Sequence, residues 1–375
     1  MNTTSTVQAP ARARQRGMSL IELMVGVVVG LIGCVVIFQV YQAAEARKRS
    51  VAMGSDMDIS GRLGLMTLER DLQLAGYGLG AAASLDHIET IYGCNVAAYD
   101  NQRPAATQTF SFPLVPVLIQ DGAAGAPDTV TTLRGSSSFA VTPKIIDGSS
   151  TTTKRIKKET GGRTGVMNGD VVIATRFDAG VPICAMFQIT SDANKDDLTF
   201  DHVGGRYNKA DGLNFTLPDE GNLVSLGPVP VRNIWSVANS KLVSANDIVS
   251  AAAPPIEAAD LIIDLQAQYG YDADGDGIIS PGEWITTLPV PADWRQLIAV
   301  RFALLARSTQ YEKEKVTKIA PRWSAGEFVM KDINAATDSD PGGAEGGVNN
   351  WRNYRYNVFE TVVPVRNQLI GRQLS

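Results

Sequence analysis

Arg16-Gly17-Met18-Ser19-Leu20-Ile21-Glu22-Leu23 leads into a stretch that stays apolar or Gly from Leu23 to Phe38 and reaches Tyr41 with only Gln39 interrupting. Nineteen residues in a helix rising about 1.5 Å each cover about 28 Å, close to the ~30 Å hydrocarbon core of a bilayer. A soluble helix that long without charge is rare, so residues 18–41 read as a membrane span. Ahead of them lies an acid-free leader, residues 1–17, with Arg12, Arg14 and Arg16. Arg47, Lys48 and Arg49 follow the span and balance the leader, so the positive-inside rule does not orient the helix. Glu22 is the exception to the pattern: a carboxylate at the edge of an apolar run is costly and is expected to be functional.

The pattern beyond the span stays helical. Leu65, Leu68, Leu72 and Ala75 form one stripe at i, i+3, i+7 and i+10, which Ile59, Leu63 and Met66 are expected to widen. Gly76 reads as the C-cap, so residues 42–76 form an amphipathic continuation, with Gly54 and Gly61 as places where it bends. Downstream, in residues 77–375, the period changes to two. Strands are expected over 109–119, 129–133, 170–176, 183–190, 223–226, 229–237, 298–304 and 354–363, with turns at Asp121-Gly122 and Asp147-Gly148. Residues 149–153 and 338–350 read as surface loops. A helical spine with antiparallel strands gives an α+β fold.

Composition narrows the function. A net charge of −5 gives no basic field for nucleic acid. The run Lys154-Arg155-Ile156-Lys157-Lys158 reads as a solvated face. Two histidines, His87 and His202, leave little for histidine-based catalysis or a multi-histidine metal site. Gly161-Gly162-Arg163-Thr164-Gly165 lacks the Lys-Ser/Thr ending of a phosphate-binding loop. No nucleophile and base can be paired, so no enzyme is expected. Cys94 and Cys184 fall on one side of the span and are expected to form a disulfide in an oxidising compartment.

One acidic loop carries metal-ligand spacing. Asp272-Ala273-Asp274-Gly275-Asp276-Gly277-Ile278-Ile279-Ser280-Pro281-Gly282-Glu283 places carboxylates at positions 1, 3, 5 and 12 of an EF-hand loop. Gly277 takes the sharp turn at position 6, Ile278 offers its carbonyl at position 7, and Ser280 stands at position 9. A hard cation wants many oxygens, so Ca2+ is the expected ligand, held as a structural staple. Residues 258–268 read as an entering helix, while Pro281 and Pro289 limit an exiting one.

The junction Gly17-Met18 with Glu22 at the fifth position after it resembles the processing site of type IV pilins. The blocks 68–77 (LERDLQLAGY), 299–308 (AVRFALLARS) and 359–367 (FETVVPVRN) resemble PilW-family minor pilins. That resemblance implies cleavage by prepilin peptidase between Gly17 and Met18, a methylated Met18, and a salt bridge from Glu22 to a neighbouring subunit's amine. It implies an inner-membrane protein with a periplasmic globular region that enters a pilus filament. Its partners would be other minor and major pilins and the inner-membrane assembly machinery, and its role would be to help initiate pilus assembly. A pseudopilin of a type II secretion system shares these features. A third reading is a calcium-binding lipoprotein or adhesin: Leu31-Ile32-Gly33-Cys34 matches a lipobox, although the apolar run continues past it.

The readings separate on the mass of the purified protein. A chain beginning at methylated Met18 is expected, and one beginning at lipidated Cys34 would refute the pilin reading.

Overall fold

A computed structural model describes residues 18–79, 92–137, 144–152, 155–158, 165–178, 181–191, 199–212, 221–249, 254–290, 292–333 and 350–369. The leader 1–17, with Gly17, lies outside them, as do residues 161–164 of the Gly-rich stretch and most of the expected loop 338–350. Contacts divide the chain into two units, Met1–Ser55 and Asp56–Ser375.

Helix α1 runs without a break from Leu20 to Leu74. In the first unit its apolar stretch, Leu20–Gln42, is long and apolar enough to cross a membrane, and none of it is buried within the protein. Cys34 lies mid-helix and exposed.

In the second unit the helix meets the strands along a narrow face. Met57, Leu68, Leu72 and Ala75 are buried, and Leu65 packs at the margin of the core. Between them the face is made by glycine. A Cβ on Gly61 would lie 2.0 Å from the Phe359 ring, and one on Gly64 would lie 3.1–3.3 Å from Leu304, Ala259 and Leu242. Gly61 is therefore a site of close approach within a helix that runs continuously through it. Ile59, Leu63 and Met66 do not widen the buried stripe; they are exposed, because the glycine face takes the helix onto the sheet on the other side.

Strands appear in each segment that alternation marked, and others it did not mark, such as Asn95–Tyr99, Lys144–Thr152, Lys241–Asn246 and Ile262–Tyr271, join them in three main sheets. The eight-stranded sheet runs Thr109–Pro113, Asn95–Tyr99, Val181–Gln188, Val171–Asp178, Gly221–Gly227, Lys144–Thr152, Arg155–Lys158, Thr199–Asp201. A five-stranded sheet runs Ile256–Asp260, Lys241–Asn246, Val231–Ala238, Thr129–Arg134, Val117–Gln120. A four-stranded sheet runs Trp284–Ile285, Ile262–Tyr271, Leu297–Arg307, Tyr356–Pro364. Among the described residues, pairing is antiparallel apart from Asn95–Tyr99 beside Val181–Gln188. One core gathers side chains from α1 and all three sheets, and a second cluster around Phe187 and Phe200 lies apart from it.

Four expectations need correction. The single strand 109–119 is two strands in different sheets, because Pro113 and Pro116 interrupt the ladder. Asp147-Gly148 is not a turn and 149–152 is not a loop; both lie in Lys144–Thr152, whose pairing is irregular there. The entering helix over 258–268 is instead strand, Ile256–Asp260 and Ile262–Tyr271. Apolar residues at 258, 261, 262 and 265 suit a helix face, but nine register pairs to Leu297–Arg307 outweigh that local spacing.

The end of α1 is tied down by polar contacts from distant parts of the chain. Asp71, buried, accepts from Thr132 Oγ1 at 2.5 Å, Trp235 Nε1 at 2.7 Å and Asn233 Nδ2 at 3.1 Å, with Arg134 Nε 3.6 Å away. Gly76 has φ +81°, as a C-cap requires, and its N–H donates to Leu133 O at 2.8 Å. Asn367 donates Nδ2 to Ala75 O at 3.0 Å, meeting a carbonyl the helix leaves unsatisfied.

Three substitutions test this seating by urea unfolding. Gly61→Ala is expected to cost about 1–3 kcal/mol by overpacking against Phe359. Gly54→Ala, with open space around it, is expected to be neutral or stabilising by up to about 1 kcal/mol. Asp71→Ala strands three donors and is expected to cost about 3 kcal/mol.

Candidate functional site

The N-terminal site begins at the helix start. Ser19 precedes the first helical residue, and its Oγ accepts from Ile21 N at 3.4 Å. Glu22 reaches back, accepting Ser19 N–H through Oε2 at 3.0 Å. This is the reciprocal half of a capping box, and Ser19-Leu20-Ile21-Glu22 spells it. Glu22 therefore stabilises the first turn of its own helix, a role that the reading of the sequence passed over although the spacing shows it. The side chains of Met18 and Glu22 are exposed.

The acidic loop joins strands Ile262–Tyr271 and Trp284–Ile285, which pair through Tyr269 with Ile285 and Gly270 with Trp284. Its context is thus a β-hairpin closed by the short 3-10 turn Pro281–Glu283, with no helix on either side. Asp272 N donates to Gln296 O at 2.8 Å and anchors the loop's first residue on the neighbouring turn. Oxygens of Asp272, Asp274 and Asp276 lie within 4.8 Å of one another, Asp272 buried and the other two exposed.

Backbone amides shape this cluster. Gly277 N donates to Asp272 Oδ2 at 3.1 Å, Asp276 N to Asp274 Oδ1 at 3.2 Å, and Ile278 N to Asp276 Oδ1 at 2.7 Å. Gly277 has φ +81° and Gly275 +77°, conformations that suit glycine. Ile279, at the apolar eighth position, packs beside Gly270. Glu283 stands apart from the three aspartates: Oε1 accepts Ala273 N and Oε2 accepts Ser280 N, both at 2.8 Å. Ser280 and Glu283 form a second capping box. Glu283 thus clips the loop shut across its own base, and Ser280 holds the turn that presents it.

The strand entering the loop is held by two further carboxyl groups. Asp128 accepts from Gly122 N at 2.8 Å and Ala267 N at 2.7 Å, and its own N–H donates to Leu265 O at 2.7 Å. Asp264 accepts from Gln266 Nε2 at 2.9 Å. Burial pushes both carboxyls above the usual range, Asp264 up to about 6.

Cys94 and Cys184 form the expected disulfide, with Cα atoms 6.1 Å apart, closing a separation of 90 residues. It lies beside the parallel pairing of Val96 with Cys184. A loop of that length stabilises by about 4–5 kcal/mol in the chain-entropy account.

The three PilW-like blocks converge in space. The strand holding 299–308 pairs with the strand holding 359–364 from Ala299–Pro364 to Arg307–Tyr356. Phe359 and Leu304 of that pair receive Gly61 and Gly64 of α1, and Asn367 caps the helix at Ala75, within the block 68–77. Comparison with known families agrees. Residues 235–367 match the family model described as Type IV Pilus-assembly protein W, and residues 12–38 match that of the Prokaryotic N-terminal methylation motif. No curated protein and no solved structure matches the chain. The first match begins at Trp235, which donates to Asp71, and ends at Asn367, which caps α1. The methylation motif, the membrane-length apolar helix and the C-terminal match together support a minor pilin of the PilW family.

Proposed function

We propose that the chain is an initiating subunit of the type IV pilus. The observation that carries this is the match of residues 235–367 to a pilus-assembly family on a chain that also bears a methylation motif. Prepilin peptidase would cut between Gly17 and Met18 on the cytoplasmic side of the inner membrane, and Met18 would be methylated. The apolar stretch of α1 would remain in the lipid, with the globular region in the periplasm, where the Cys94–Cys184 disulfide is chemically at home. Glu22 would then take a second partner, the N-terminal amine of a neighbouring pilin. Opposite charges attract strongly in low dielectric, and each alone there is costly. Other minor pilins, the major pilin and the inner-membrane assembly machinery would be the partners.

Deleting the gene is expected to abolish surface pili and twitching while type II secretion continues. Loss of secretion with pili intact would overturn the pilus reading in favour of a pseudopilus. Complementation with Glu22→Ala is expected to fail although the protein still reaches the membrane.

A second proposal concerns Ca2+ at Asp272, Asp274 and Asp276, the Ile278 carbonyl, Ser280 and Glu283. Amide donors and positive-φ glycines already hold three carboxylates together, which the charges alone oppose. Closing the loop on an ion asks Glu283 to exchange its hold on Ala273 N and Ser280 N for the metal, so the site is expected to be weak. Extracellular modules of this type work near 10⁻⁴–10⁻³ M. Millimolar calcium is expected to raise the melting temperature of the detergent-solubilised protein by a few degrees. Asp272→Asn with Glu283→Gln is expected to remove that shift, and a melting temperature indifferent to chelator in the parent protein would sink the proposal.

A further inference from the structure

A seam between two sheets holds buried carboxyl groups that neither site above uses. Residues 121–128 connect Val117–Gln120 to Thr129–Arg134 in the five-stranded sheet and lie along Ile262–Tyr271 of the four-stranded sheet. Asp128 N donates to Leu265 O, and Ala267 N donates to Asp128 Oδ2, both at 2.7 Å. Gln266 Nε2 donates to Ala126 O at 3.1 Å and to Asp264 Oδ1 at 2.9 Å, so one amide joins the turn to a carboxyl of the strand. The Tyr269 hydroxyl extends the seam, lying against the backbone N–H and carbonyl of Ile119.

Charge is costly in this seam. Asp128 is 2% exposed and Asp264 6%. Their hydrogen-bond donors are uncharged amides: Gly122 N and Ala267 N for Asp128, and Gln266 Nε2 for Asp264. Burial disfavours the ionised form of each, and the two charges disfavour one another. Asp121 adds a third carboxyl beside Asp128, while Lys331, exposed, favours the charge on Asp264. Asp264 is the group that titrates near neutrality, its pKa pushed up by burial to about 6.

We propose that this seam is an acid-tightened clasp between the two sheets, closed when Asp264 is protonated and loosened when Asp264 is ionised beside Asp128. Protonation removes the repulsion across the seam and leaves the hydrogen bonds of Asp128 and Gln266 in place. Ionisation favours the entry of water, and the turn is the side that yields, because Ile262–Tyr271 is held by nine register pairs to Leu297–Arg307. The strand lies within the family-matched residues 235–367 and the turn lies outside them, so the clasp ties that part of the chain to its middle region.

Asp264 holds its proton more tightly in the folded chain than in the unfolded one. Its contribution to stability is therefore full below the ordinary carboxylate range and is lost as the pH rises through about 6. His202, held down to about 4 by burial, pulls the other way over the same window and favours the folded chain as the pH rises. A variant at Asp264 separates the two, since His202 acts equally in both proteins.

Full-length protein in detergent would be unfolded in urea at about pH 5 and about pH 7.5, beside Asp264→Asn, whose amide stays neutral. The ratio of folding constants, variant to parent, is expected to be roughly ten-fold higher at the upper pH. Hydrogen exchange of the parent, read by mass spectrometry and corrected for the intrinsic rate, gives the local readout. Peptides covering residues 119–128 are expected to be better protected at the lower pH. A ratio that is the same at both pH values would overturn the clasp, because Asp264 would not be the titrating group. Protection of 119–128 that does not change with pH would overturn it as well, even with a changing ratio. Should Asp264→Asn fail to fold, exchange in the parent decides alone.

Discussion

The close approach of helix α1 to the strands beneath it is the constraint on which the second unit depends. Gly61 and Gly64 let the helix settle against Phe359, Leu304, Ala259 and Leu242, residues drawn from two sheets. Large residues flank those glycines at Met57, Leu68 and Leu72, so the buried face is narrow but deep. Apolar burial of this kind is non-directional and fixes neither the rotation nor the axial position of a helix. Asp71 and the Asn367 cap supply that direction, because hydrogen bonds are satisfied only in one register. The chain's last described strand and turn are thereby tied to the end of its first helix.

Two glutamates carry a parallel logic. Glu22 and Glu283 each occupy the third position of a helical turn whose cap is a serine, and each accepts that serine's amide. Both also stand where an external positive charge is proposed, a subunit amine in one case and a cation in the other. Each carboxylate would have to exchange backbone amides for that new charge.

The eight-stranded sheet solves a different problem. Its single parallel contact places Cys184 beside Val96 and brings the Cys94 disulfide into the main core. The opposite side of the same pairing presents Ala97 and Ala185, whose small side chains leave a cavity near His202. One strand pairing thus provides a covalent tie on one face and an opening on the other.

The membrane-length helix, the α+β class and the acidic loop were all legible from local chemistry: an uncharged apolar run, a change of period, and oxygens at fixed spacing. The capping boxes were legible too, in Ser19–Glu22 and Ser280–Glu283, since they span three residues. What only the tertiary structure decided has longer reach. Residues 258–268 carry a helix-like spacing and became strand because Lys241–Asn246 paired with their start and Leu297–Arg307 with the part from Ile262 on. Gly61 looked like a weakness in a helix until Phe359, distant in sequence, filled the space above it. Nothing local in Leu68-Glu69-Arg70-Asp71 sets Asp71 apart; Thr132, Asn233 and Trp235 converge on it from elsewhere in the chain. Local spacing determines what a segment can form; the partners that select among those forms come from elsewhere in the chain, and sequence distance does not reveal them.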